Sequence, residues 1–205
     1  MSLVVATPLR ARRGEGSTVS EVRYPYADAL NIANDVVNLL TPSCERIIIA
    51  GSLRREKPDV GDIEILFIPK IEIVDSPSDW FDKEAFDVAD DKIKDMVKAN
   101  VFKLRINKKG SYTFGQKNKL VTHVESGIPV DLFSATTENW FNYLVCRTGP
   151  AESNIAICNS AIAKGWKWHP YGEGFSNRHN VTVTVPSERA VFDFVGLPYK
   201  EPRDR

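Results

Sequence analysis

Asp62 and Glu64 lie two residues apart in Val60-Gly61-Asp62-Ile63-Glu64-Ile65-Leu66, a segment with the character of a strand. Alternate side chains of a strand leave opposite faces, so the two carboxylates share one face while Ile63 and Ile65 point into a core. Carboxylates so placed repel each other unless cations lie between them. Two hard divalent ions, bridged by carboxylate and phosphate oxygens, would relieve that repulsion. A third carboxylate, Asp131, stands in Pro129-Val130-Asp131-Leu132-Phe133. This run again reads as a buried strand, where a lone aspartate needs a partner or a metal. Upstream, the Gly51-Ser52 turn offers backbone N–H groups and a hydroxyl, with no Cβ at Gly51 to block close approach, so it can cradle a phosphate. Arg55 comes soon after it and can neutralise the charge of a leaving pyrophosphate. Taken singly, each feature has an ordinary explanation: an exposed strand face, a common turn, a cap. Together, in this order and in strand contexts, they favour metal-assisted transfer at a phosphate.

These residues need elements to position them. Ala27, Leu30, Ala33, Val37 and Leu40 recur at helical spacing after Pro25, and Thr41-Pro42 ends the pattern. Ile47–Ala50 reads as a short buried strand stopped by Gly51-Ser52, Arg54–Gly61 as a loop around Pro58, and Ile63–Ile68 as a strand. Asp75–Asp82 reads as a polar connection, and Phe86–Ala99 as a helix with Val88, Ile93, Met96 and Val97 inward. Further strand-like stretches are Val101–Ile106, Leu120–Glu125 and Ile128–Phe133, with turns at Gly110 and Gly127. Trp140–Val145 reads as a short helix. Gly149-Pro150 opens a second, Ala151–Lys164, stopped by Gly165. Val181–Val185 alternates like a strand, and Ser187 caps a last helix ending near Gly196. Strands and helices mix without regular βαβ alternation, so the expected class is α+β with a mixed sheet.

The 205 residues suffice for one domain with a small appendage, and 42% apolar with 26% charged residues place the chain among globular proteins rather than disordered ones. The formal net charge is zero, so no global signal announces a polyanion partner. Basic residues do cluster locally, at Arg10, Arg12 and Arg13, at Arg54, Arg55 and Lys57, and at Lys103, Arg105, Lys108 and Lys109. Each cluster alone reads as a solvated surface. Cys44, Cys146 and Cys158 form no C-x-x-C pair and point to free thiols in a reducing compartment. No apolar run reaches membrane-spanning length, and the apolar start is too short for a signal peptide. The chain reads as intracellular, cytoplasmic or nucleoid/nuclear, and not secreted.

Gly51-Ser52-x-Arg54-Arg55, with Gly61-Asp62-x-Glu64 after it, resembles the signature of the nucleotidyltransferase superfamily. The C-terminal half narrows the resemblance. Arg147-Thr148-Gly149 with Asn154 and Ala161-x-x-x-Gly165 resembles the thumb segment of family X DNA polymerases, the polymerase beta-like enzymes. His169-Pro170-Tyr171-Gly172 and the stretch from Val191 to Arg205 are similar to the remaining C-terminal segments of that family, and Arg23-Tyr24-Pro25 to its opening. The resemblance spans Arg23 to Arg205 and is most specific at Gly51–Leu66 and Gly196–Arg205.

The resemblance implies a nucleotidyltransferase fold, a mixed-sheet palm flanked by helices with a small α+β C-terminal lobe. The expected division is a flexible arm at 1–22, a palm at 23–135 and a nucleotide- and template-binding lobe at 136–205. It implies that Asp62, Glu64 and Asp131 hold two Mg2+ ions, or Mn2+ in their place, and that Asp131 helps deprotonate a primer 3′-hydroxyl. Gly51, Ser52, Arg55, the backbone at Gly61 and Arg23 would grip a nucleoside triphosphate. Cys146, Arg147 and Gly149 would lie against its sugar, and Asn154 near its base. The implied partners are primer-template or gapped DNA and nucleoside triphosphates, with no membrane and a monomeric chain. The implied activity is a minimal family X-like DNA polymerase in DNA repair or replication. The alternatives are a template-independent or RNA-directed nucleotidyltransferase, and a nucleotide- or DNA-end-binding module with little turnover. The chain departs from the family pattern where Glu64 replaces aspartate, Glu56 replaces glycine, Cys146 and Arg147 replace an aromatic pair, and Ala151 replaces a polar residue. With no room before Arg23 for the family's N-terminal domains, weak duplex binding and no 5′-deoxyribose-phosphate lyase activity are expected.

Overall fold

A computed structural model describes residues 22–75, 83–107 and 109–205. The expected arm, residues 1–22, lies outside the described residues except for Val22, and so does most of the expected connection Asp75–Asp82. In chain order the elements are β1 (Tyr24–Pro25), α1 (Tyr26–Leu40), β2 (Cys44–Ile49), α2 (Gly51–Arg54), β3 (Asp59–Val60), β4 (Ile63–Pro69), β5 (Ile71–Asp75), β6 (Lys83–Asp87), α3 (Val88–Lys98), β7 (Phe102–Leu104), β8 (Asn118–His123), β9 (Pro129–Ser134), α4 (Trp140–Thr148), α5 (Ala151–Ala163), β10 (Trp166–His169), β11 (Gly174–Asn177), β12 (Thr182–Val183) and α6 (Glu188–Val195).

Five strands form the main sheet in the order β2-β4-β9-β8-β7. The β4–β9 pair is parallel and its neighbours are antiparallel, so the sheet is mixed as expected. Ile63, Ile65 and Phe67 alternate onto one face and pack with Ala29, Ala33, Val36 and Leu40 of α1 and Ala89 and Ile93 of α3. Leu66 and Phe133 occupy the other face and pack under α4 through Trp140, Tyr143 and Leu144. A separate apolar cluster joins α5, α6 and the three-stranded sheet β10-β11-β12 around Ile157, Trp168, Phe175 and Val191. The last helix is closed at both ends by local chemistry. Ser187 Oγ accepts from Ala190 N at 3.0 Å, and Gly196 takes the left-handed conformation, φ 75°.

Several expectations need correcting. The buried stripe of α1 is Ala29-Ala33-Val36-Leu40, whereas Ala27 is exposed and Leu30 and Val37 only flank the core. The helix is turned by about one position, because a stripe spaced 4-3-4 keeps to the helical period more closely than one beginning at Ala27. The Gly51-Ser52 turn begins a helical turn, and the expected loop Arg54–Gly61 includes the tail of that turn and β3, which pairs with β1. Phe86 belongs to β6 rather than to a helix. α3 starts only at Val88, where Asp87 accepts from Asp90 N at 2.8 Å. The hairpin β5–β6 and the strands β10 and β11 were not expected. They carry sequence that is too short, or too interrupted by Gly172 and Gly174, for a clear two-residue period.

One polar pair is enclosed beneath the sheet. Lys119, with its side chain 2% exposed, donates to Gly115 O at 3.0 Å and pairs with Asp90 Oδ1 at 2.6 Å. Burial pushes the Asp90 carboxyl upward, but hydrogen bonds from Lys119 and Lys94 outweigh it and the net shift is down. A depressed carboxyl contributes stability above its unfolded value, near pH ~4, and loses it as pH falls through the lower folded value. Lys119→Met leaves the partly buried Asp90 without its main partner. It is expected to cost about 3 kcal/mol in urea denaturation at pH 7, with a smaller difference from wild type once Asp90 is protonated in acid.

Candidate active site

The parallel register of β4 and β9 sets Glu64 directly beside Asp131. Side chains at paired positions leave the same face, so the two carboxylates are neighbours on the sheet. Asp62, expected on the strand, sits one residue before it, since β4 begins at Ile63. The period of two nevertheless holds through this point, with Ile63 and Ile65 fully buried on the opposite face.

The turn at Gly51 lies against this row. Gly51 has φ 63°, and a Cβ there would collide with the Glu64 carboxylate. Ala50 N donates to Glu64 O at 2.8 Å, tying the turn to the strand. Ser52 is half-buried on the helical turn that Gly51 opens. On the other side of the carboxylates, β1 pairs with β3 and brings Arg23 to Gly61; its Nε donates to Asp59 Oδ1 at 2.7 Å.

Arginines surround the carboxylates. Arg105 Nη2 donates to Asp131 Oδ1, and Arg147 Nη1 lies 3.7 Å from Glu64 Oε1. Arg147 also rests on the Phe133 ring, with its Cζ 3.6 Å from the centroid. Arg55 Nη1 donates to Thr148 O, beside Gly149. The Nε atoms of Arg55, Arg105 and Arg147 are all buried with no hydrogen-bond partner among the described residues. Burial raises the Glu64 carboxyl to about 8, with Asp62 and Asp131 adding to the rise and Arg147 and Arg55 opposing it. Burial likewise raises Asp131 to about 6, opposed by Arg105. Even with the arginines present, the carboxylates remain short of positive charge.

That shortage bears on metal binding. The three side chains offer only hard carboxylate oxygens, the donor type of Mg2+ and Mn2+. Among the described residues, however, no group of His, Cys, Asp and Glu side chains is drawn together as metal ligands are. The donor set fits such ions in charge and chemistry, while the arginines hold the side chains in other pairings. A cleft of about 660 Å3 opens beside Asp62 and Asp131, with Arg105, Asn107 and Lys109 on its wall.

The remaining sequence-predicted residues gather at the junction of α4 and α5. Cys146, Arg147 and Gly149 end α4, and Asn154 Nδ2 donates to Cys146 O at 2.8 Å. Asn154 thus fastens α5 to the turn, and its Oδ1 is buried without a partner among the described residues. Arg105 was missed as a member of the site. Lys103-x-Arg105 in a strand-like stretch carried a signal, since period two puts both cations on one face. Arg54 acts elsewhere: it donates to Thr148 Oγ1 at 2.7 Å and pairs with Glu188, which also binds Arg205 at 3.0 Å.

Residues 143–205 match the family model of the DNA polymerase beta thumb. The stretch runs from the second half of α4 to the C-terminal residues, and it holds Arg147, Gly149 and Asn154. This C-terminal part of the chain is therefore similar to the thumb of a family X polymerase. No curated protein sequence matches the chain at a significant level. No described helix is long and apolar enough to cross a membrane.

The contact of Gly51 with Glu64 makes a direct test. Gly51→Ala places a Cβ against the carboxylate at a positive φ, and a loss of about 2 kcal/mol is expected in thermal denaturation. Glu64→Asp shortens the opposing side chain. Combined with Gly51→Ala, it is expected to recover part of that loss, leaving the backbone strain. Strictly additive losses in the double mutant would show that the two groups do not touch.

Proposed function

We propose that the protein is a minimal family X-like DNA polymerase, which extends a DNA 3′-hydroxyl from deoxynucleoside triphosphates. The observation that carries this reading is the pairing of Glu64 with Asp131, with Asp62 two residues ahead and the Gly51 turn alongside. It occurs in a chain whose residues 143–205 match the DNA polymerase beta thumb. In this reading residues 23–135 form the palm and 136–205 the lobe that meets nucleotide and template. The chain works as a monomer on primer-template or gapped DNA.

Asp62, Glu64 and Asp131 are the residues that would hold two Mg2+ ions. When bound, the ions would supply Lewis acidity at the α-phosphate and charge for the departing pyrophosphate. Ser52 and the N–H groups of the Gly51 turn receive phosphate oxygens, and Gly51 lets them approach closely. Arg55 carries a buried, unpartnered Nε beside that turn and faces the developing negative charge. The backbone at Gly61 and Arg23, which Asp59 holds beside it, also grip the triphosphate. Asp131 accepts the proton of the attacking hydroxyl, and Arg105 orients its carboxylate. Cys146, Arg147 and Gly149 bound the sugar, and Asn154 sits at the base. In-line positioning and fixed charge account for most of the rate enhancement.

A second reading has its own support. Arg105 and Arg147 already pair with two of the three carboxylates, as a nucleotide- or DNA-end-binding module with little turnover would have it. Primer extension separates the readings. A short gapped duplex and a matched single strand are offered with Mg2+ or Mn2+ and each deoxynucleotide and ribonucleotide in turn. Insertion directed by the template base is expected, and Asp131→Ala should reduce it by at least about a hundredfold while DNA binding changes little. Addition regardless of template would move the assignment to a terminal transferase. Nucleotide binding without addition would move it to the binding module.

A further inference from the structure

Outside the carboxylate site, one enclosed guanidinium keeps an unmet donor. The Arg205 side chain is 0% exposed. Its Nε donates to Lys200 O at 2.9 Å and its Nη2 to Glu188 Oε2 at 3.0 Å. Its Nη1 is buried with no hydrogen-bond partner among the described residues. A guanidinium stays charged at any working pH, so this donor is not silenced by loss of a proton. Arg205 lines a cleft of about 340 Å3 between the start of α5 and the segment that follows α6. Ala156, Phe192, Leu197 and Pro198 give the cleft apolar walls. Glu152 and Ser153 bring the first turn of α5 to it. Pro150 caps that helix without a side-chain hydrogen bond, and the first N–H groups of a helix have no acceptor within it. That end of α5 is therefore electropositive. Lys200 adds an exposed cation at the rim. Glu152 is the one carboxylate side chain on the lining; it is exposed, and its charge acts on Arg55. The cleft shares no lining residue with the one beside Asp62 and Asp131.

We infer that this cleft binds a small monocarboxylic acid with an apolar body, its carboxylate set between the start of α5 and the Arg205 guanidinium. A carboxylate accepts from a guanidinium and from helix-end N–H groups alike. The rim cation at Lys200 favours the same sign of charge. The apolar walls select the rest of the ligand. An inorganic anion would leave those walls unfilled, and a plain hydrocarbon would leave Nη1 unmet. The volume lies at the small end of ligand pockets, so the body is a single ring or a short branched chain. Nη1 is shut off from water, so the acid reaches it only as the exposed rim at Pro198 and Lys200 gives way.

The test titrates the full chain with fluorobenzoate and reads the fluorine signal of the ligand beside the side-chain resonances of Arg205. Saturable binding with a shift of the Arg205 signals is expected. Fluorobenzyl alcohol, the same ring without the charge, should bind at least about tenfold more weakly. Inorganic phosphate should not compete. Ala156→Phe fills the cleft from an exposed helix position and should abolish binding. Lys200→Glu reverses the rim charge and should weaken binding by about tenfold. Ala163→Phe, the same change about two turns further along α5, should leave it intact. Equal affinity for the acid and the alcohol would overturn the inference, as would unchanged binding in both Ala156→Phe and Lys200→Glu. Binding of a peptide with a free terminal carboxylate, and none of fluorobenzoate, would also overturn it and assign the cleft to the chain end of a partner.

Discussion

Like charges crowded on one face of a sheet must be compensated, and much of this molecule is arranged around that need. The register of β4 on β9 forces Glu64 and Asp131 together, and the alternation of β4 adds Asp62. None of the three can turn inward, because Ile63 and Ile65 fill the other face. The compensation comes from elements distant in sequence. Arg105, just past the end of β7, reaches in across the sheet, and α4 supplies Arg147 from above. The Glu64 and Asp131 carboxyls nevertheless stay raised, to about 8 and about 6. The guanidinium groups therefore do not remove the demand for positive charge. Burial is the largest cause of both rises, and the guanidinium groups offset it only in part.

The same arginine-rich chemistry connects the sheet to the C-terminal part. Arg54 and Arg55 are adjacent on the turn after β2, yet they serve different ends. Arg54 reaches Thr148 and Glu188, and Arg205 closes on Glu188 from the far side. These side chains are largely enclosed, so the pairs are held in a medium where losing one partner is costly. Arg55 touches the carbonyl of the same Thr148 while leaving its Nε unpartnered. One threonine at the end of α4 thus meets both a strut and a candidate phosphate ligand. Any shift of the α4–α5 junction would be felt at the Gly51 turn through two arginines at once.

The features legible in the sequence came from strong local rules. Alternation in Ile63–Leu66 placed the carboxylates, Gly196 and Ser187 marked the ends of α6, and Gly165 marked the stop of α5. The features that were not legible depended on pairing between distant segments. β10 and β11 exist because Trp168 and Phe175 bury together with α6, a tertiary fact that no short window carries. The role of Arg105 depends on β7 lying two strands from β9, which carries Asp131, an order that nothing in Lys103-Leu104-Arg105 announces. The phase error in α1 was of the same kind. Ala29 and Ala33 are buried by their neighbours, whereas Ala27 is exposed.

The length of Glu64 ties these threads together. A carboxylate on the shorter aspartate stem would stay near the sheet, close to Asp62 and Asp131. The extra methylene carries the Glu64 carboxylate to Gly51 on one side and to Arg147 on the other. That reach requires the glycine, since any Cβ at position 51 would occupy the same space. It also requires a cation on α4, since the carboxylate is otherwise buried among its own kind. Gly51, Glu64 and Arg147 therefore form one structural unit spread over three elements. Glu64 and Arg147, where the sequence departs from the pattern it resembles, meet in a single contact. Glutamate at 64 and arginine at 147 are best understood as a pair, each supplying what the other's presence demands.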